Sequence, residues 1–345
     1  MRVIHFSNFA PNRSGLFECA FDQIKYERKY GIDSQMAIYE KANPNCERDW
    51  LKCISWDECK DADLYVIHRG LPNELEKLNK PDIMVIHGTV EFLMLEEIFS
   101  EANKTPFNTH INLIKDCDAS VAVNEHDYNI YKLYDPKEKL VLIHDAIDCE
   151  RFTIEGHQYP YNHHPQILFC DSLRPNKFPS HAIWTMAEVV KEIPSARLTI
   201  VGLDLLGILT WRNLILRSPG QHLAANIENI QLLTNDNPSY MRSADIVVNG
   251  NVSGIPSRTE LEAMACGCHV VGYSDSFTKW KCNPFDTKDM ARKIIDCWNY
   301  IKDNPNARQE ARNWVLENAN MEKQVKEKYI PLYEKIIKEK TNEKI

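Results

Sequence analysis

The segment 257–272, with the sequence SRTELEAMACGCHVVG, contains the residues whose types and spacing point most clearly to chemistry. Ser257 has the side chain of a helix N-cap, and Glu260 three residues later completes a capping box. Gly267 permits the left-handed turn that ends many helices, and the apolar run after it is typical of a buried strand. The segment therefore predicts a capped helix that leads directly into a strand.

The start of this predicted helix has groups that suit a phosphorylated ligand. The N–H groups of Ser257, Arg258 and Thr259 lie in its first turn, where helix amides and the helix dipole favour an anion. Glu262 lies one turn beyond them, and its carboxylate suits the hydroxyl groups of a sugar. The pattern predicts a site that binds a phosphate and a sugar side by side.

Short apolar runs alternate with helical segments along the chain, which is typical of parallel α/β units. In the first half, strands are predicted at 2–6, 34–38, 64–68, 83–87, 119–123 and 140–144, with a helix from about Leu16 to Lys29. In the second half, strands are predicted at 166–169, 197–201, 230–233, 246–248 and 270–272. A Lys-rich helix with apolar residues at helical spacing is predicted over 321–340.

Residues 151–165 interrupt this alternation with one Gly, two Pro and three His, so we expect a domain hinge there. The predicted organisation is an N-terminal Rossmann-like domain over 1–155, a C-terminal Rossmann-like ligand-binding domain over 156–320, and a C-terminal helix over 321–345. A chain of 345 residues with 43% apolar content is long enough for two separate cores.

The net charge of −8 is unevenly spread, because the first 150 residues are strongly acidic and the rest is mildly basic. This asymmetry fits an anionic ligand bound mainly by the second half. It argues against a long polyanion lying on the first half, since neutralising phosphates needs clustered cations.

The location of the protein is inferred from what the sequence lacks. The N-terminal residues MRVIHF are typical of a strand and not of a signal peptide, and Arg13 and Gly15 interrupt any apolar core segment. No apolar run approaches the roughly 20 residues of a membrane span. The 11 cysteines have no metal-ligand spacing, which favours unpaired thiols in a reducing cytoplasm over disulfides or zinc.

The residues LEAMACG and the strand after them resemble the LEAMA(C/S)G-x-P-V-V signature of retaining GT-B glycosyltransferases, the group-1 or family-4 class. In that family the helix has a pattern of Glu, seven residues and Glu, and the second Glu holds the ribose of the nucleotide. Glu262 matches the second Glu. Gly254 replaces the first Glu, which in the family usually contacts the transferred sugar.

Other segments are similar to the family in order and spacing. They are LIHDAID over 142–148, ILFCDSL over 167–173, PSARLTIVG over 194–202 and YMRSADIVV over 240–248. The resemblance implies the GT-B fold, in which two Rossmann-like parallel-sheet domains face a cleft and the last helix crosses back to the N-terminal domain. It also implies that 1–155 is the acceptor domain and that 156–320 binds the nucleotide sugar.

The resemblance also implies which residues bind the donor diphosphate. Lys177 matches the family's Lys, whereas Ser172 takes the place of the family's Arg and Arg174 is the nearest substitute. Alternatively, Lys177 and Arg258 can each be interpreted as a cation on the protein surface that does not contact the donor. The expected donor-binding residues are Gly15, Arg174, Lys177, Ser257, Arg258, Thr259 and Glu262.

Two residues of the first domain are expected to face the donor. Gly15 ends the loop after the first strand, where the lack of a side chain lets the backbone approach a phosphate. His87, at a strand end in VIHGT, matches the family's histidine near the sugar and leaving group, and ligands of open α/β sheets gather at strand ends. The alternatives are a turn glycine and a histidine that orients a turn. His68 ends another strand and is interpreted as structural.

Several enzyme classes do not fit the sequence. No G-x-G-x-x-G follows a strand, no G-x-x-x-x-G-K-[ST] motif is present, and no H-E-x-x-H motif or dense metal-ligand cluster is present. The predicted function is a retaining, metal-independent glycosyltransferase that uses a nucleoside-diphosphate sugar as co-substrate, with no cofactor, and acts on a saccharide or a lipid-linked glycan. We expect it in the cytoplasm, with peripheral membrane contact if the acceptor is lipid-linked.

Two alternatives stay open. One is a phage-type DNA glycosyltransferase that acts on hydroxymethylated bases, which the acidic first half disfavours because base flipping needs a cationic groove. The other is a non-catalytic nucleotide-sugar-binding protein, which the replacements at Gly254 and Ser172 favour.

Overall fold

The computed structural model describes residues 1–7, 15–38, 50–68, 80–87, 90, 94, 106–135, 138–171, 177–202, 226–230, 237–251, 257–274 and 279–342. The chain forms two compact units. The first unit consists of Met1–Ala146 together with Asn320–Ile345, and the second unit is Ile147–Ala319.

The described part of the first unit contains seven parallel strands in the order β3-β2-β1-β4-β5-β6-β7. Their bounds are β1 Arg2–Ser7, β2 Asp33–Ile38, β3 Ile54–Ser55, β4 Leu64–His68, β5 Asp82–Ile86, β6 Ala119–Ala122 and β7 Leu140–Leu142. The central strands are apolar along most of their length because helices cover both faces of a parallel sheet. The two-residue β3 was not predicted from the sequence.

Helices follow the strands of this sheet. They are α1 Gly15–Lys29, α2 Pro106–Asp116 and α3 Glu125–Tyr131, with short 3-10 turns at Trp56–Cys59 and Lys132–Tyr134. The α1 helix was predicted with nearly these bounds. Its apolar face packs beside β2, where Phe17, Phe21 and Ile24 form a buried cluster with Met36.

The described part of the second unit contains five parallel strands in the order β10-β9-β8-β11-β12. They are β8 Gln166–Cys170, β9 Arg197–Val201, β10 Ile227–Ile230, β11 Ile246–Asn249 and β12 His269–Gly272. The accompanying helices are α4 Pro179–Glu192, α5 Asn237–Ser243, α6 Arg258–Ala265, α7 Thr287–Asp303 and α8 Ala307–Asn318.

The C-terminal segment belongs to the first unit. It comprises α9 Met321–Gln324, a π-helical turn Val325–Tyr329 and α10 Ile330–Asn342. Its buried side chains, among them Val325, Tyr329 and Tyr333, join the core formed by Val3 of β1 and Leu64 of β4. The apolar spacing read from the sequence is thus explained by packing on the first sheet.

Two predicted boundaries differ from the structure. The first unit ends at Ala146, before the predicted boundary at 155, because Ile147 and Phe152 pack in the core of the second unit. The strand predicted at 230–233 instead begins at Ile227, which pairs with Leu198 and packs against the apolar core of the second unit. Residues 231–233 lie outside the described part of the chain.

No helix in the described ranges is long and apolar enough to cross a membrane. The cysteines that the structure describes take part in no disulfide. Burial raises the pKa of the Cys268 thiol to about 12, so this thiol stays protonated near neutral pH.

Replacing Gly267 by Ala should destabilise the protein more than the same change at Gly31. Both glycines have a left-handed φ, at 87° and 80°, which costs an alanine about 1–2 kcal/mol. A Cβ at Gly267 would also lie 3.1 Å from the Cβ of Arg308, whereas a Cβ at Gly31 would have no heavy atom within 4 Å. Denaturant unfolding of both variants measures the difference, and equal losses would contradict the crowding at Gly267.

Candidate functional site

The strand order of each sheet reverses direction at one point, and polar residues collect there. In the second unit the reversal lies between β8 and β11, and in the first unit it lies between β1 and β4. Open parallel sheets bind ligands outside the carboxyl ends of the strands at such switch points.

In the second unit the start of α6 is built as predicted. Ser257 is the N-cap, and the capping box with Glu260 is present. The side chain of Asn249, at the end of β11, donates a 2.7 Å hydrogen bond to Ser257 Oγ. The helix start is thereby joined to the strand end at the switch point.

One feature predicted for this helix start is wrong. The amide of Ser257 is not free for a ligand, because it donates a 2.5 Å hydrogen bond to the carboxylate of Glu260. This is the reciprocal bond of the capping box itself, so the predicted box and the predicted free amide exclude each other. Arg258 and Thr259, both half-buried, are the first residues of α6.

Glu262 is buried and forms an ion pair with Arg258 one turn earlier. The Arg258 Nε lies 2.7 Å from Glu262 Oε1, and both side chains are about one-tenth exposed. The i,i+4 spacing places the two side chains on one face of the helix. The two residues were expected to have separate roles, and their ion pair was not predicted, although the i,i+4 spacing indicated it.

Lys177 lies in the segment after β8 and pairs with Asp171, the residue that follows that strand. The two charged atoms are 3.0 Å apart, and both side chains are about one-fifth exposed. A Cβ at Gly250 would lie 2.7 Å from the Lys177 carbonyl oxygen, so only glycine allows β11 to approach Lys177 this closely. Asp171 was not predicted, although its position at a strand end was a usable signal.

Glu260 is fully buried in this arrangement. Burial raises the pKa of its carboxyl to about 7, against the opposing effects of hydrogen bonds from Ser274 and Ser257 and of the charge on Lys177. Ser274 donates one of these bonds at 2.6 Å. Below neutral pH, Glu260 is therefore largely uncharged. The charges near the helix start in the described residues are then those of two ion pairs, Arg258 with Glu262 and Lys177 with Asp171.

The structure describes the remaining sequence-predicted residues only in part. Arg174, Ser172 and Gly254 lie outside the described residues. Gly15, expected to end the loop before the helix, is the exposed first residue of α1. Residues 8–14 before it lie outside the described residues.

In the first unit His87 directly follows β5 and is half-buried. Its Nε2 lies 2.8 Å from Nδ1 of His68, the last residue of β4. His68 is fully buried, and its Nε2 lies 2.9 Å from Nδ1 of His5 on β1. His5 was not predicted as a site residue, because the sequence identified its segment only as a strand.

The strand register accounts for this row of histidines. His5 lies opposite Val66, and His68 lies opposite Val85. His68 comes two residues after Val66 on its strand, and His87 comes two residues after Val85. Residues two apart on a strand share a face, so all three histidines lie on the same side of the sheet.

The row ends at Glu27 on α1, whose carboxylate is completely buried. Its Oε2 lies 2.8 Å from His5 Nε2 and accepts a hydrogen bond from Ser34, and its Oε1 accepts hydrogen bonds from Tyr333 and Gln23. Burial by itself would raise the pKa of Glu27, but the neighbouring His5 and the hydrogen bonds lower it below the usual value. Glu27 is thus an ionised carboxylate in the core.

No three His, Cys, Asp or Glu side chains within the described ranges are arranged to hold a metal ion. The polar groups of the switch points instead form ion pairs and hydrogen-bonded chains. Such groups can bind hydroxyls and phosphates by exchanging partners.

Solved structures match nearly the whole chain, and three of them show the extent of the similarity. HepE (Alr3699) from Anabaena, in complex with UDP and glucose, has a TM-score of 0.72 and 14% identity, covering 97% of this chain and 98% of its own. A glycosyltransferase from Rickettsia africae ESF-5 has a TM-score of 0.70 and 16% identity, covering 98% of both chains. Sucrose-phosphate synthase from Thermosynechococcus elongatus has a TM-score of 0.69 and 14% identity, covering 98% of this chain and 100% of its own. No family model and no curated protein matches the sequence.

These similarities establish the fold. The chain has the GT-B glycosyltransferase fold, with two α/β units whose described strands are all parallel. The fold expected from the sequence is therefore confirmed.

Replacing Glu260 by Gln should change how stability depends on pH. Native Glu260 holds its proton up to about pH 7, whereas an unfolded glutamate releases it near 4.5. The contribution of Glu260 to the free energy of unfolding is therefore complete below about pH 4.5. It is lost as the pH rises through 7, which lowers the free energy of unfolding by up to ~3 kcal/mol. Glutamine keeps the capping bond but does not ionise, so Glu260→Gln should gain stability relative to the wild type between pH 5 and 8.

Denaturant unfolding of both proteins across this pH range tests the prediction. Glu188→Gln is the control, because Glu188 is a partly exposed glutamate that pairs with Lys191 on α4. A constant difference between wild type and Glu260→Gln at all pH values would show that Glu260 is ionised throughout.

Proposed function

We propose that this protein is a retaining glycosyltransferase that transfers a sugar from a nucleoside-diphosphate sugar, with its nucleotide site on the second unit. The observation that carries the proposal is the ion pair of Arg258 and Glu262 at the start of α6, beside a sheet switch point on a GT-B fold. A carboxylate held by an arginine is an ionised acceptor for two ribose hydroxyls, and the arginine is a cation close by.

The charge arrangement suits an incoming diphosphate. In the described part of the site, Lys177 and Arg258 are each balanced by one carboxylate, Asp171 and Glu262 respectively. A diphosphate brings about two negative charges, and it can take these cations as partners while Glu262 turns to the ribose. The growing charge on the leaving group is then stabilised by fixed cations, which is how a transfer without a metal ion proceeds.

The nucleotide of the proposed donor is UDP. HepE is a structural neighbour in complex with UDP-glucose, and the pneumococcal O-GlcNAc transferase GtfA is one in complex with UDP and GlcNAc. The proposed acceptor is a hydroxyl of a saccharide or of a lipid-linked glycan, and the proposed location is the cytoplasm.

In the proposed reaction, the bond from the anomeric carbon to the diphosphate oxygen breaks, and the bond to the acceptor oxygen forms on the same face of the sugar. The acceptor proton passes to the departing diphosphate, so no protein base is required. His87 of the first unit contributes to this step as a polar group at a strand end.

Calorimetric titration of UDP and of uridine separates the two binding roles. Glu262→Gln should weaken both ligands by about 10- to 100-fold, because each contains the ribose and a hydrogen bond to a charged group is lost. Lys177→Met should weaken UDP by a similar factor and leave uridine unchanged, since uridine has no phosphate.

Lys191→Met is the matched control, because Lys191 is an exposed lysine paired with a carboxylate on α4. It should bind both ligands like the wild type. If the wild type binds neither UDP nor any of GDP, ADP and CDP, the nucleotide site on α6 is refuted.

Replacing His87 by Ala should lower kcat far more than it weakens UDP. A group that acts in the transition state contributes to turnover rather than to ground-state binding. Steady-state kinetics with UDP-sugars and a panel of saccharide acceptors measure kcat and KM separately. A change confined to KM would assign His87 to substrate binding instead.

A further inference from the structure

Behind His87 the first unit contains a continuous row of hydrogen bonds that ends in a buried negative charge. The row runs from His87 through His68 and His5 to Glu27, with heavy-atom distances of 2.8, 2.9 and 2.8 Å. Buried histidine and glutamate side chains destabilise the folded state unless they are hydrogen-bonded, so the fold depends on the hydrogen bonds of this row.

The direction of every hydrogen bond follows from Glu27. Among the described residues, its two oxygens accept from an imidazole, a serine hydroxyl, a tyrosine hydroxyl and a glutamine amide, which can all act as donors. Glu27 is therefore an acceptor only, and His5 must place a proton on Nε2. A neutral His5 then accepts at Nδ1 from His68 Nε2–H, and a neutral His68 accepts at Nδ1 from His87 Nε2–H. In this state the other ring nitrogen of His87, Nδ1, is a proton acceptor.

One added proton reverses the direction of the two hydrogen bonds between the histidines. When Nδ1 of His87 takes up a proton, the Nε2 proton of His87 moves to Nδ1 of His68, and the Nε2 proton of His68 moves to Nδ1 of His5. Each step breaks one N–H bond and forms one N–H bond, and the positive charge comes to rest on His5, beside Glu27. His87 and His68 are both neutral again, and Nδ1 of His87 is now a donor.

We propose that Glu27, His5 and His68 are positioning residues that fix the tautomer of His87 and hold the charge of the proton that His87 gains or loses. The proposal rests on the proposed function in that His87 acts on the bound donor. It adds a means by which the Nδ1–H of His87 can donate a hydrogen bond to the leaving group while the positive charge of the added proton is held two rings away, on His5.

The surroundings of the row agree with this assignment. Burial, together with His87 and His5, lowers the pKa of His68 well below its ordinary value, so His68 does not keep the charge itself. Among the residues that the structure describes, the titratable groups around the buried end include Tyr333 and Tyr329 of the C-terminal segment and Cys19 of α1, with Asp145 near Tyr329. Burial raises the pKa of both tyrosines well above the ordinary value, so within this described set Glu27 is the charged group that contacts His5.

The test is the tautomer of each ring, read from nitrogen-15 chemical shifts of histidine-labelled full-length protein during a pH titration. In the wild type we expect His68 to change from Nε2–H to Nδ1–H while it stays neutral, and we expect His5 to become the imidazolium. If His68 keeps its proton on Nε2 throughout, the proposal is overturned, and this result needs no variant.

Glu27→Gln removes the buried charge with almost no change in shape. In this variant His5 should stay neutral, and the added proton should remain on His87. Tyr333→Phe is the matched control, because it removes a hydrogen bond to the same carboxylate at 2.7 Å and leaves its charge. This control should titrate like the wild type. Identical titrations of Glu27→Gln and the wild type would overturn the proposal.

Turnover with a UDP-sugar completes the test. Glu27→Gln should lower kcat by about 10- to 100-fold, as loss of an orienting partner typically does, with KM little changed. Tyr333→Phe should keep most of the activity. A wild type that shows the tautomer change but no transferase activity would refute the proposed function and leave the proton-holding row intact, so the two failures are distinguishable.

Discussion

The first unit is organised around one buried carboxylate. An ionised glutamate in a protein core is strongly destabilising unless every lone pair has a donor, so the groups around Glu27 must all be in place together. These groups come from α1, from β1 and β2, and from the C-terminal segment, through Gln23, His5, Ser34 and Tyr333. The position of each of these elements is thereby fixed relative to the others, and so is the ring of His87 at the far end of the histidine row.

The second unit also contains a buried carboxyl group that needs hydrogen-bond partners, but this group is not ionised over the whole pH range. Glu260 is also buried, but it keeps its proton up to about pH 7 and is satisfied by two serines and the amide it caps. While Glu260 is uncharged, the ion pair of Arg258 and Glu262 supplies the charges of α6. The described parts of the two units therefore differ at equivalent switch points: one has a buried row of histidines that ends in a carboxylate, and the other has ion pairs.

The sequence predicted the fold well because the fold depends on local periodicity. Parallel strands, α1 and the capped α6 helix with its left-handed Gly267 each have a pattern that can be seen within about a dozen residues. The partners of the site residues could not be read in the same way. His5, Glu27 and Tyr333 are far apart in the chain, and their contact depends on strand register and on where the last helix packs. Even so, Gln23 and Glu27 lie on the apolar face of α1, and polar residues in that position were an available signal.

The discontinuity of the first unit affects the order in which the protein can fold. Ribosomal synthesis delivers residues 1–146 first and the whole of Ile147–Ala319 next, and only then the segment that contains Tyr333. Until that segment arrives, the carboxylate of Glu27 lacks one of its donors and the apolar face of the first sheet lacks its cover. The second unit has all of its strands and helices earlier and can complete its core first. The first unit therefore cannot complete its core until residues beyond Ala319 have been synthesised.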